Sequence, residues 1–163
     1  MKKNRTFIVK NLLMTIPVTF LLTGCFGTDE ITGTSEKNYF ELENEVGCKS
    51  TNGEDKKEDT FDKDYKNKWM TFKGQVATID GDKLTISCDD NVVSDLNIKF
   101  NDKKSIYDLK IGSYIEVKFV MRELGGCFSS YDADNGEVLK KDIKMMDYLE
   151  YILAASLKST IKK

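Results

Sequence analysis

The residues of this chain whose types could do chemistry include four cysteines and a supply of carboxylates, and it contains no histidine. That absence removes Ser-His-Asp and Cys-His nucleophile pairs, imidazole metal ligands and the usual titration near neutrality. Cys48, Cys88 and Cys127 stand 40 and 39 residues apart, which matches no zinc-binding spacing, so no metal and no cofactor are expected. Asp132-Ala133-Asp134-Asn135-Gly136-Glu137 invites a calcium-loop reading. With Gly136 at the sixth position, Tyr131, Ala133 and Asn135 fall at the first, third and fifth and Asp142 at the twelfth, and the pattern fails. Asn135-Gly136 reads instead as a hairpin turn. The acids lie mostly on strand exteriors and in loops and give no pair assignable to one pocket, so no catalytic residue is expected and the chain reads as a non-enzyme.

Cys25 has a different context. Residues 1–24 carry Lys2, Lys3, Arg5 and Lys10 and no acid, so the remaining 21 bases face 27 acids, a formal charge of −6. A basic start followed by the apolar run from Leu12 to Leu22 has the layout of an export signal. About 11 apolar residues span only about 16 Å as a helix, short of the roughly 20 residues that cross a bilayer. The run ends in Leu22-Thr23-Gly24-Cys25, which resembles a bacterial lipobox. The resemblance implies removal of residues 1–24, a diacylglyceryl thioether on Cys25 and, in many bacteria, a further acyl chain such as palmitate on the new amino terminus. Two or three acyl chains make release from a membrane very slow. Localisation is then extracytoplasmic and lipid-anchored at the cell membrane. Phe26 replaces the aspartate that retains lipoproteins at the inner membrane, so the outer membrane is expected where the host has two. Residues 25–37 read as the lipidated cysteine and a flexible tether.

These groups are positioned by elements legible as periodicity. In 35–46, Tyr39, Leu42 and Val46 share one helical face, with Ser35 available as N-cap. Residues 50–60, including Glu54-Asp55-Lys56-Lys57-Glu58-Asp59, read as a polar, solvated loop. Apolar residues then alternate with period two in 69–79, 83–88, 95–100, 113–124 and 137–146, with a turn at Asp80-Gly81-Asp82. A short helix is expected within 103–109, between the third and fourth strands, and a C-terminal helix over 147–160 that opens with Asp147-x-x-Glu150.

Three strands, a helix and two strands is the order of an OB-fold barrel, with Gly74 where the long first strand bends. Tyr65-Lys66-Asn67-Lys68-Trp69-x-x-Phe72-Lys73-Gly74-Gln75-Val76, Asn97-Ile98-Lys99-Phe100 and Leu109-Lys110-x-Gly112-x-x-Ile115-x-Val117 resemble the tRNA-anti-like OB-fold group of bacterial lipoproteins and secreted proteins. The fold class expected is mainly β: a five-stranded OB-fold-like barrel over 38–163 with a short N-terminal helix, a helix between strands 3 and 4, and a C-terminal helix. In such a barrel the loops after strands two and four lie toward the same end, which favours a Cys88–Cys127 disulfide. Cys48–Cys127 is the alternative, and Cys88 as a buried free thiol on its inward face is a third reading.

The functional expectation is a non-enzymatic envelope lipoprotein that binds another envelope protein or a small envelope ligand, with the membrane as partner through its anchor. An exclusion or immunity lipoprotein of a mobile element is the alternative, by analogy with other small exported lipoproteins. OB-folds often bind single-stranded nucleic acid, and Trp69 with Lys73 and Lys99 could form a stacking platform. The charge of −6, the export signal and the lack of a basic stripe argue against nucleic acid. Trp69 is expected to pack under the N-terminal helix or the tail, and the C-terminal helix to pack on the barrel rather than serve as a partner or membrane surface.

Overall fold

The computed structural model describes residues 30–89 and 95–161, and in them the alternating segments form one six-stranded sheet. In chain order the elements are β1 (Gly33–Thr34), α1 (Tyr39–Glu45), α2 (Glu54–Asp64), β2 (Lys68–Asp80), β3 (Lys83–Ser87), β4 (Leu96–Lys99), a 3-10 turn (Lys103–Ile106), β5 (Tyr114–Glu123), β6 (Tyr131–Ile143) and α3 (Met145–Ile161). The chain is mainly β, with a sixth, two-residue strand beyond the five expected. The sheet order is β1-β2-β3-β4-β6-β5, and β5 pairs again with β2, so the five longer strands return on themselves.

Strand β2 makes that return possible by changing partner halfway. Trp69 to Gln75 pair with β5, and from Gln75 to Asp80 the partner is β3. Gly74 stands at the changeover, where a Cβ would sit 2.7 Å from the carbonyl oxygen of Ser87. Only glycine admits so close an approach of backbone to backbone. The β2–β3 hairpin closes through Gly81 at φ 62, a conformation that costs glycine nothing.

Inward positions fill one core. Phe72 and Phe119 meet edge to face at 5.1 Å, and Leu84, Ile86, Leu96, Ile98, Ile115 and Val117 are buried around them. Helix α1 adds Tyr39, Leu42 and Val46, each contributing about 1.5–3 kcal/mol by burial. Its N-cap is Asn38 rather than Ser35: the Asn38 side chain accepts from the Glu41 N–H, and Glu41 accepts from the Asn38 N–H, a capping box.

Three further expectations are corrected. The loop assigned to 50–60 contains most of α2. That helix has no apolar face, and Phe61 is its one buried residue. It is held by Glu54–Lys57 and Asp62–Lys66 pairs, acids in its first turn and the stacking of Phe61 on Tyr65 at 6.3 Å. Such charge terms leave no hydrophobic period to read. Second, Asn135-Gly136 is not a turn but lies inside β6, which begins at Tyr131. Lys118 pairs with Glu137 and Val120 with Asp134, so two steps along β5 face three along β6, and Asn135 at φ 53 absorbs the extra residue as a bulge. The chain reverses earlier, where Gly126 and Ser129 bond to each other. Third, residues 32–35, assigned to the tether, are part of the fold: the Thr32 N–H donates to the Asn67 carbonyl and the Ser35 N–H to the Trp69 carbonyl, tying β1 alongside β2.

Helix α3 starts at Met145, two residues before the expected Asp147, and packs against α1. It buries Tyr148, Ala155 and Ser159, with the Tyr148 ring 4.4 Å from that of Tyr114.

Candidate functional site

Cys25 and the export signal lie outside the described residues. Of the other cysteines, Cys48 and Cys127 form a disulfide with their Cα atoms 5.1 Å apart, and Cys88 is free and buried. The Cys88–Cys127 pair favoured by the loop argument does not form. Cys88 follows β3 with its side chain turned into the core, whereas Cys48 leaves α1 at the surface and meets Cys127 in the β5–β6 turn. The position where α1 docks decides the pairing, and that is a tertiary fact.

Around Cys88 the structure gathers carboxylates and tyrosines. The Asp95 carboxylate accepts from the Cys88 N–H at 2.5 Å and from the Ser87 hydroxyl at 3.3 Å. Burial raises its pKa, opposed by the bonds it accepts from the Cys88 N–H and the Tyr39 hydroxyl. Glu43 is buried in α1 and accepts from the Tyr131 hydroxyl at 2.7 Å. Burial, then the charges of Asp95, Asp89 and Glu43, pushes the Cys88 thiol well up, which disfavours the thiolate a nucleophile needs. The Asp95 and Glu43 carboxylates are thus engaged with hydroxyl or backbone donors. Tyr39 and Tyr131 are raised in the same way, first by burial and then by the neighbouring acids. The cluster joins α1, β3, β6 and the start of β4.

The remaining candidate surfaces are open ones. On the outer face of β3, β4 and β6, Thr85 donates to Asn97 at 3.0 Å and Asn97 donates to Asp132 at 3.1 Å, a polar row across three strands. With Thr78, Lys83 and Lys99 it lines a shallow cavity of about 400 Å3. The period-two alternation placed Thr85 and Asn97 outward and left Asp132 outside the expected strands; their union depends on β4 running parallel to β6, with Asn97 opposite Asp132. A parallel neighbour far away in sequence leaves no local signal.

A second opening, about 920 Å3, lies between α2 and the ends of β5 and β6. Its one guanidinium is engaged: Arg122 donates to Asp134 at 2.9 Å and to the Asn67 side chain at 2.7 Å. Trp69 is half-buried with the Lys118 ammonium 4.6 Å above its ring, beside β1. A ring covered by a lysine of its own sheet is not a bare stacking platform.

Among the described residues no group of three or more His, Cys, Asp or Glu could hold a metal ion, and no helix is long and apolar enough to cross a membrane. Comparison with known proteins finds no matching family model, no matching curated protein and no matching solved structure.

Proposed function

We propose that the chain is a lipid-anchored protein of the bacterial cell envelope whose domain, an OB-fold-like five-stranded barrel, binds another envelope protein or a small polar ligand without turning it over. The observation that carries this reading is Leu22-Thr23-Gly24-Cys25 at the end of a basic and then apolar leader, five residues before the described fold begins at Glu30. The return of β5 onto β2 and the changeover at Gly74 support the barrel. The Thr85–Asn97–Asp132 row supports binding: it offers amide, hydroxyl and carboxylate groups on a rigid sheet with lysines at its rim, suited to the polar backbone or hydroxyl groups of a ligand. The raised thiol and the engaged carboxylates fit binding better than catalysis.

In-cell crosslinking tests the binding face. A photoreactive residue at Thr78 or Lys99 of the full chain is expected to yield a discrete adduct that the same residue at Asp59, on α2, does not. Identical patterns from all three positions would contradict binding through this face.

A further inference from the structure

We propose that α3 is a second membrane contact, lying on the lipid surface with its outer face in the headgroup region; this rests on the lipid anchor of the preceding section. Tyr148, Ala155 and Ser159 hold one side of α3 to the domain. At 3.6 residues per turn, Met146, Leu153 and Leu157 fall roughly opposite them, and they are 67%, 64% and 57% exposed, with Ile161 at 84% one turn on. A helix apolar on both sides needs a second apolar neighbour.

The anchor supplies one. Cys25 precedes Glu30 by five residues, which span at most roughly 17 Å. A domain of about 130 residues has a radius of gyration of about 14 Å, so so short a link keeps the side where the chain enters turned toward the lipid. That entry segment runs beside α3. Thr34, Ser35 and Lys37 line one side of a cavity of about 380 Å3, and Tyr151, Ala155 and Lys158 line the other. From Met145 to the end of the chain the acids are Asp147 and Glu150, against Lys158, Lys162 and Lys163, with Lys144 just before. By the same helical spacing Glu150 falls within the apolar stripe and Lys158 toward the entry segment, so the case for lipid rests on the exposed apolar side chains and the short link rather than on charge.

The test uses the full chain, lipidated in cells and transferred to vesicles of phosphatidylglycerol and brominated phosphatidylcholine. In a Trp69→Phe background, Leu153→Trp reports on α3 and Thr78→Trp on the sheet face. The expected result is at least twofold quenching and a blue shift at 153, with none at 78; Leu157→Trp repeats the reading should 153 disturb the fold. Vesicle flotation with unquenched tryptophan at 153 and 157 would overturn the proposal and leave the anchor standing. A blue-shifted but unquenched signal with crosslinked dimers would overturn it in favour of a second copy. A chain that does not float would overturn the anchor and this inference together.

Discussion

The hydroxyl of Tyr131 donates to the carboxylate of Glu43 over 2.7 Å, joining β6 to α1 across 88 residues of sequence. Both residues are buried, so neither has water as an easy substitute. Tyr131→Phe and Glu43→Gln should each destabilise the domain, and a double-mutant cycle by denaturant unfolding should give a coupling of about 1–2 kcal/mol. Additive losses would show that the bond does not fasten the helix.

The disulfide closes a segment of 79 residues. Chain-entropy arithmetic for that separation gives about 4.5 kcal/mol of stabilisation. Replacing Cys48 and Cys127 by Ser should lower stability by an amount of that order. Mass-mapped alkylation of the intact protein should leave Cys88 unmodified until denaturant is added. Rapid labelling of Cys88 in the folded state would contradict its burial.

How much of this was legible follows from which interactions leave a local trace. Met70, Phe72 and Val76, and Leu84 and Ile86, sit inward because a half-buried strand alternates, and that pattern is written in the residues. Helix α2 has a single apolar anchor, Phe61, and no period. Asn135-Gly136 carries a turn signature, but β4 and β5 both pair with the chain just before it and hold it extended. The disulfide pairing, the Glu43–Tyr131 bond and the Asn97–Asp132 contact each require knowing which distant elements lie side by side. Of the candidate binding row, Thr85 and Asn97 were visible as outward residues, and Asp132 was not, because β6 begins six residues before the expected strand.

Gly74→Ala probes the partner changeover in β2. Its Cβ would meet the Ser87 carbonyl at 2.7 Å and the Ile86 side chain at 3.0 Å, and backbone cannot swing aside as a flexible side chain can. A loss of about 1–3 kcal/mol in thermal or denaturant unfolding is expected. A neutral substitution would mean that β2 bends elsewhere.

Alkaline pH should unfold the domain through its tyrosines. Tyr39, Tyr65 and Tyr131 are raised above 10.0, first by burial and then by nearby acids or hydrogen bonds, and Tyr151 is pushed up to about 12, mainly by burial. Unfolded tyrosines ionise near 10, so the stability these groups contribute is complete below that pH and is lost as pH rises toward their folded values. The melting temperature should fall above pH 10, with tyrosinate absorbance from these residues appearing only on unfolding and a shallower decline in Tyr131→Phe. Complete tyrosine titration near pH 10 with circular dichroism intact would contradict it.

The proposed anchor on Cys25 carries the functional reading, and intact mass measures it directly. Full-length chain expressed with a labelled fatty acid should be recovered from the membrane fraction with its amino terminus at Cys25 and the added mass of a diacylglyceryl group. Cys25→Ser should lose both the label and the membrane association. A wild-type protein that retains residues 1–24 without lipid, or a Cys25→Ser variant that stays membrane-bound, would contradict the account.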